Sequence, residues 1–298
     1  MVVEGASSAR ADSPPAPIAD KTVEPVAKKI VAKKRARPAE LSEAIDELPV
    51  IARIDDAAPT AFILRGRLTK KRSAAMERMA KNIIADVARR FVGNDAEGAK
   101  DDPVDVCLFE NDADYSAFSQ ITGDRDTMLG FHLPGQRLIV ANLGRSVGNL
   151  RHELVHPLMG DAFASSGRAL PAWFNEGLGS LYGSSRVRKD NVTFLVNYRL
   201  RDVRKAIRAG NLPTLQEISE SGRAELYGNR SMTYYGTARY LLLYMAAEGT
   251  LGAFYRDLQS EEATADRQHE LLEKYVDEKR FVRWTRRLKS GRRATKPR

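Results

Sequence analysis

A chain that carries RHELVHP at residues 151–157 and PAWFNEGLGS at 171–180 is constrained first by helix geometry. Each helical residue turns by about 100°, so His152 and His156 project from one face, about 40° apart. Leu150, Leu154 and Leu158 form a second stripe on the same segment, which marks it as packed. Glu176 sits on the next segment beside Trp173, Phe174 and Leu178, where a lone carboxylate is costly to bury. The connecting stretch MGDAFASSGRAL is long enough to lay the two helices side by side. A fold that does so brings two imidazoles and a carboxylate together.

That donor set suits one Zn²⁺ ion, which accepts neutral imidazole and carboxylate oxygen and leaves a position for water. His152, His156 and Glu176 are therefore the expected metal ligands. Glu153 borders the same cleft and is placed to take a proton from an activated water. The competing reading is an amphipathic helix with coincidental histidines; Glu176 on its aromatic helix favours the metal.

The rest of the chain frames this pair. AFILRG (61–66) and VDVCLFE (104–110) read as strands, separated by an amphipathic helix with Met76, Met79, Ile83, Ile84, Val87 and Phe91 at helical spacing. Asn111 or Asp112 can cap a short helix through Phe118. LGFHLP and QRLIVAN, separated by Gly135, suggest a hairpin. From Pro171 onward the pattern reads almost wholly helical. The expected fold is α+β, with a small mixed sheet in the N-terminal half and a mostly helical C-terminal half. Expected boundaries are a disordered Ala/Pro/Lys-rich leader over 1–55, with a short helix allowed at ELSEAIDELP, a folded domain over 56–285, and a basic disordered tail over 286–298.

The net charge of +9 is uneven. Residues 21–37 carry seven Lys or Arg against one Glu, and residues 279–298 carry ten with no acid, so the remainder is net acidic. The basic tails could contact anionic surfaces, whereas no specific nucleic acid is expected: only Phe281 and Trp284 interleave with the C-terminal charges. Cys107 is alone, which excludes an intramolecular disulfide and a multi-thiolate site, and its apolar neighbours make it a core residue. The longest apolar run, RYLLLYMAA (239–247), is too short to span a bilayer. The first residues as written lack a signal peptide, so the reading is cytoplasmic, a cell-envelope location requiring a different start.

HELVH followed by PAWFNEGLGSLY resembles the gluzincin metallopeptidases, specifically the bacterial "peptidase MA-like" group with HExxH and then PxWxxEG. MTYYGTARYLLLYMAAEGTLGAFYRDL is similar to the same group, and the resemblance covers roughly residues 60–260. It implies a zincin-like fold with HExxH on the active-site helix and a zinc-dependent peptidase acting on a peptide or protein substrate. His152, His156 and Glu176 would be ligands and Glu153 the general base. It also implies a tyrosine that donates to the oxyanion, for which Tyr234 and Tyr235 are the candidates, Tyr235 preferred. The substrate would lie along an edge strand, for which QRLIVAN (136–142) is the expectation. The chain departs from the pattern at Ser180, where such enzymes often carry an acid, leaving Asp161 as a substitute partner for a ligand. Pro157 predicts a bend where the helix leaves the site, and His132 is read as a structural strand histidine. These departures motivate an alternative, a catalytically inactive zincin-like module that binds peptide or scaffolds an assembly.

Overall fold

The computed structural model describes residues 38–92, 101–123, 129–188, 191–260, 264–294 and 296. The basic run 21–37 and most of the expected leader lie outside the described residues. Regular structure is nevertheless present before residue 56. Helix α1 (Ala39–Asp46) covers the ELSEAID segment and strand β1 (Val50–Ile54) follows it, so the boundary expected at 55 is corrected to at least residue 39.

Strands β2 (Phe62–Arg65), β3 (Val104–Phe109), β4 (Gly130–Leu133) and β5 (Leu138–Asn142) complete a five-stranded sheet in the order β1-β2-β3-β5-β4. β2, β3 and β5 run parallel, while β1 and β4 are antiparallel edges. Period-two alternation divides β3 and β5 between two apolar layers. Val104, Val106, Leu108, Ile139 and Ala141 join the main core. Cys107, Phe109, Leu138 and Val140 join a smaller cluster beneath α1 and α3 (Asp112–Ile121), which Asn111 caps. Helix α2 (Lys70–Val87) buries Met76, Ala80, Ile83, Ile84 and Val87 in the main core.

QRLIVAN is therefore not the edge. β5 is buried at every position and lies between β3 and β4, so the edges are β1 and β4, the latter carrying His132.

The second half holds α4 (Val147–Glu153), α5 (Val155–Ser165), α6 (Ala172–Gly183), α7 (Leu200–Ala209), α8 (Leu215–Ser219), α9 (Arg223–Tyr227), α10 (Ser231–Glu248), α11 (Leu251–Ser260), α12 (Ala265–Tyr275) and α13 (Glu278–Arg287). A small hairpin, β6 (Ser185–Arg188) with β7 (Asn191–Phe194), interrupts what the sequence pattern reads as helix throughout. Helix α6 packs between α4 and α10. The expected basic tail is also corrected. Just before it, within the expected folded domain, Phe281 and Trp284 are 2% and 3% exposed against Tyr244, so these two rings are packed rather than open. The Arg204 guanidinium donates to the carbonyls of Thr285, Arg286 and Leu288, closing the end of α13. Residues 291–293 return to pair with Leu195 and Val196.

No helix among the described residues is long and apolar enough to cross a membrane.

Candidate metal centre

Ser146 caps α4 by accepting from the Asn149 amide, which starts the helix just before the motif. Two glycines set how closely its neighbour approaches. A Cβ on Gly148 would lie 2.7 Å from the Gly183 carbonyl oxygen, so α4 and α6 touch backbone to backbone. A Cβ on Gly179 would lie 2.9–3.0 Å from three atoms of the His152 ring. The spacing of EGLGSLYG on α6 thus creates the slot that His152 occupies, and Glu176 faces that slot from one turn earlier.

The motif helix does not run straight. It is interrupted at Leu154, between the two histidines, where φ is −61° and ψ is −21°. Pro157 has no amide hydrogen to give the Glu153 carbonyl, which accounts for the weakened turn. The break expected after His156 therefore falls earlier. Both rings still converge: their centroids are 4.8 Å apart, edge to face at 76°.

His152 Nε2 lies 3.2 Å and His156 Nε2 4.0 Å from the same oxygen, Glu176 Oε2. One ligand atom from each of the three residues falls within 4.8 Å of the other two. Atoms held at 2.0–2.1 Å by a tetrahedral zinc lie about 3.4 Å apart, so this donor set suits the ion in chemistry, with the His152–Glu176 pair near that spacing and the His156–Glu176 pair wider. His156 Nδ1 pairs with Asn175 Oδ1 at 2.9 Å. That bond fixes the tautomer that leaves Nε2 free to coordinate.

Glu176 is held at both oxygens. Tyr227 donates to Oε1 at 2.8 Å and Tyr235 donates to Oε2 at 2.9 Å. Burial alone would raise its pKa, but the His152 hydrogen bond and the charges of His156 and His152 hold it far below the usual carboxylate range. Burial and the Glu176 charge push the Tyr235 phenol well above its ordinary value. The same two causes take Tyr227 to about 12.

Glu153 is buried and lies 3.8 Å from His156 Nε2, outside the three-residue group, with Asn149 donating to its Oε1 at 3.2 Å. Burial, reinforced by Glu176, raises its pKa to about 7 against the opposing effects of His156 and Asn149. The His132 ring stacks at 6.1 Å and 16° on His156. Burial first, then the neighbouring His156 and Arg137, lowers its pKa to about 3, so it stays neutral.

Of the expected site residues, His152, Glu153, His156, Glu176 and Tyr235 come together. Tyr234 does not: it is buried in the apolar core with the Arg230 guanidinium over its ring. Asp161 is engaged elsewhere, by Arg137 at 2.8 Å and Thr60 at 2.7 Å, and supports no ligand. Ser180 is buried, and its carbonyl accepts from the buried Arg239. Tyr227, Asn175 and Asn149 were not anticipated. Asn149 was readable, since it precedes Glu153 by one helical turn. Tyr227 had no signal, because it comes from a five-residue helix far along the chain.

No protein-family model matches the chain, and a search of curated proteins returns no match.

Proposed function

We propose that this protein is a zinc-dependent peptidase of zincin-like architecture, with His152, His156 and Glu176 as ligands and Glu153 as general base. One observation carries the reading. Three donors of zinc-binding type converge from two helices, and a fourth ionisable group, Glu153, stands beside them without joining the set. The metal would supply Lewis acidity toward a water and toward the carbonyl of the scissile bond.

The chain's own residues supply the rest. Glu153 takes the proton of the attacking water as the C–O bond forms, then passes it to the leaving amine as the C–N bond breaks and the carbonyl re-forms. Asn149 orients the Glu153 carboxylate. Tyr235 is the donor within reach of the negative charge that develops on the carbonyl oxygen, its hydroxyl being 2.9 Å from the oxygen that faces both histidines. An extended peptide would add to β4, the edge strand beside β5.

The runner-up is a peptide-binding or scaffold module without catalysis. It is favoured by the commitment of Tyr235 to a ligand carboxylate and by Ser180, which brings no negative charge. Hydrolysis of a denatured protein by zinc-loaded wild type and Glu153→Gln separates the two. Cleavage by the wild type alone supports the peptidase, and cleavage by neither supports the module.

A further inference from the structure

Three of the five most exposed large hydrophobic residues among those described, Tyr198 (63%), Tyr227 (52%) and Met232 (46%), belong to one surface. They are joined through Arg199. Its guanidinium stands 5.4 Å from the Tyr198 ring centre and 5.1 Å from that of Tyr235, and donates toward Met232 Sδ at 3.6 Å. Tyr235 meets Tyr227 edge to face at 5.9 Å, and Arg223 lies 5.3 Å over the Tyr227 ring. Both phenols end on Glu176, so this surface begins at the metal centre itself.

Its charge is as telling as its apolar area. Neither Arg199 nor Arg223 has a carboxylate within 4.0 Å among the described residues, while the adjacent Arg230 is paired with Glu217 at 3.9 Å. An arginine laid on aromatic faces keeps its planar donors free for a carboxylate, and the ring faces accept an apolar side chain. We propose that the Tyr198, Arg199, Met232 surface, continued through Tyr235, Tyr227 and Arg223, is the substrate subsite next to the metal. It selects a peptide whose large apolar or aromatic side chain is flanked by Asp or Glu. The proposal rests on the peptidase reading for the position of the scissile bond, but not for the binding itself.

The test uses the full chain loaded with zinc. Wild type acting on a mixed peptide library should cut where an aromatic, Leu or Met residue with an acidic neighbour lies within two residues of the cleaved bond. Arg199→Glu with Arg223→Glu should retain zinc and shift the neighbour preference from acidic to basic by about tenfold in kcat/KM. Tyr198→Ala, at a solvent-exposed ring, should weaken the apolar preference alone. Binding of one labelled acidic-aromatic peptide and its lysine counterpart to zinc-loaded Glu153→Gln separates the two claims. Preferential binding of the acidic peptide without cleavage by wild type would sink the peptidase reading and keep the subsite. Equal affinity for both peptides, or a cleavage profile unmoved by the arginine reversals, overturns the subsite.

Discussion

Tyr227 Oη donates to Glu176 Oε1 at 2.8 Å, while His152 Nε2 faces the other oxygen of the same carboxylate at 3.2 Å. Tyr235 donates to that second oxygen at 2.9 Å, so each oxygen of the carboxylate is held by a phenol. Partners that orient a ligand in this way contribute about 10–100-fold in metal affinity. Tyr227→Phe should therefore weaken zinc binding by about tenfold in a chelator competition, with the far-ultraviolet spectrum unchanged. An unchanged affinity would make the contact incidental.

Gly179 leaves the space that the His152 ring fills. Gly179→Ala puts a methyl within 3.0 Å of that ring, and the imidazole must move or the helices must part. The expected result is a stability loss of about 1–3 kcal/mol in denaturant unfolding, with zinc affinity lowered by more than tenfold. A variant that binds zinc as tightly as wild type would show that α4 and α6 have room to spare.

Tyr182 is buried and donates to Asp86 at 2.8 Å, with Arg89 and Arg90 on the same carboxylate. Burial, followed by the Asp86 charge, raises its pKa well above the ordinary 10.0. The unfolded phenol ionises near 10 while the folded one keeps its proton. The stability it contributes is thus complete below pH 10 and is lost as pH rises from there toward the folded value, by at most about 1.4 kcal/mol per pH unit. In Tyr182→Phe this part of the alkaline loss should vanish, which unfolding curves between pH 9 and about 11 would reveal by difference from wild type.

The C-terminal helix gives a fourth expectation. Trp284 is buried between Tyr244 and Phe281, so Trp284→Ala should cost about 3–5 kcal/mol. A variant as stable as wild type would contradict the packing of this helix on α10.

How much of this was legible depended on whether the signal was local. The convergence of His152, His156 and Glu176 was legible because helical spacing is local and Glu176 stood out as a carboxylate among aromatics. The order of the sheet was not, although the signs were there. LIVAN is apolar at each of its first four positions, as an interior strand must be, while GFHLP is short and ends in proline, as an edge strand can. At the end of α13 the Lys and Arg density hid the return of residues 291–293 to Leu195 and Val196, a pairing that is non-local. Choosing between Tyr234 and Tyr235 needed the azimuth of α10 against α6, which only tertiary packing fixes. The contacts that position Glu176 from α9 are non-local and leave no pattern in the chain.

The central claim is that His152, His156 and Glu176 form one zinc site with Glu153 outside it. Zinc per chain, measured by mass spectrometry after purification and dialysis against excess zinc, tests this directly. About one zinc is expected in wild type and in Glu153→Gln, and far less in His156→Ala and Glu176→Ala. Wild type that binds no zinc, or a Glu176→Ala variant that retains it in full, would contradict the account.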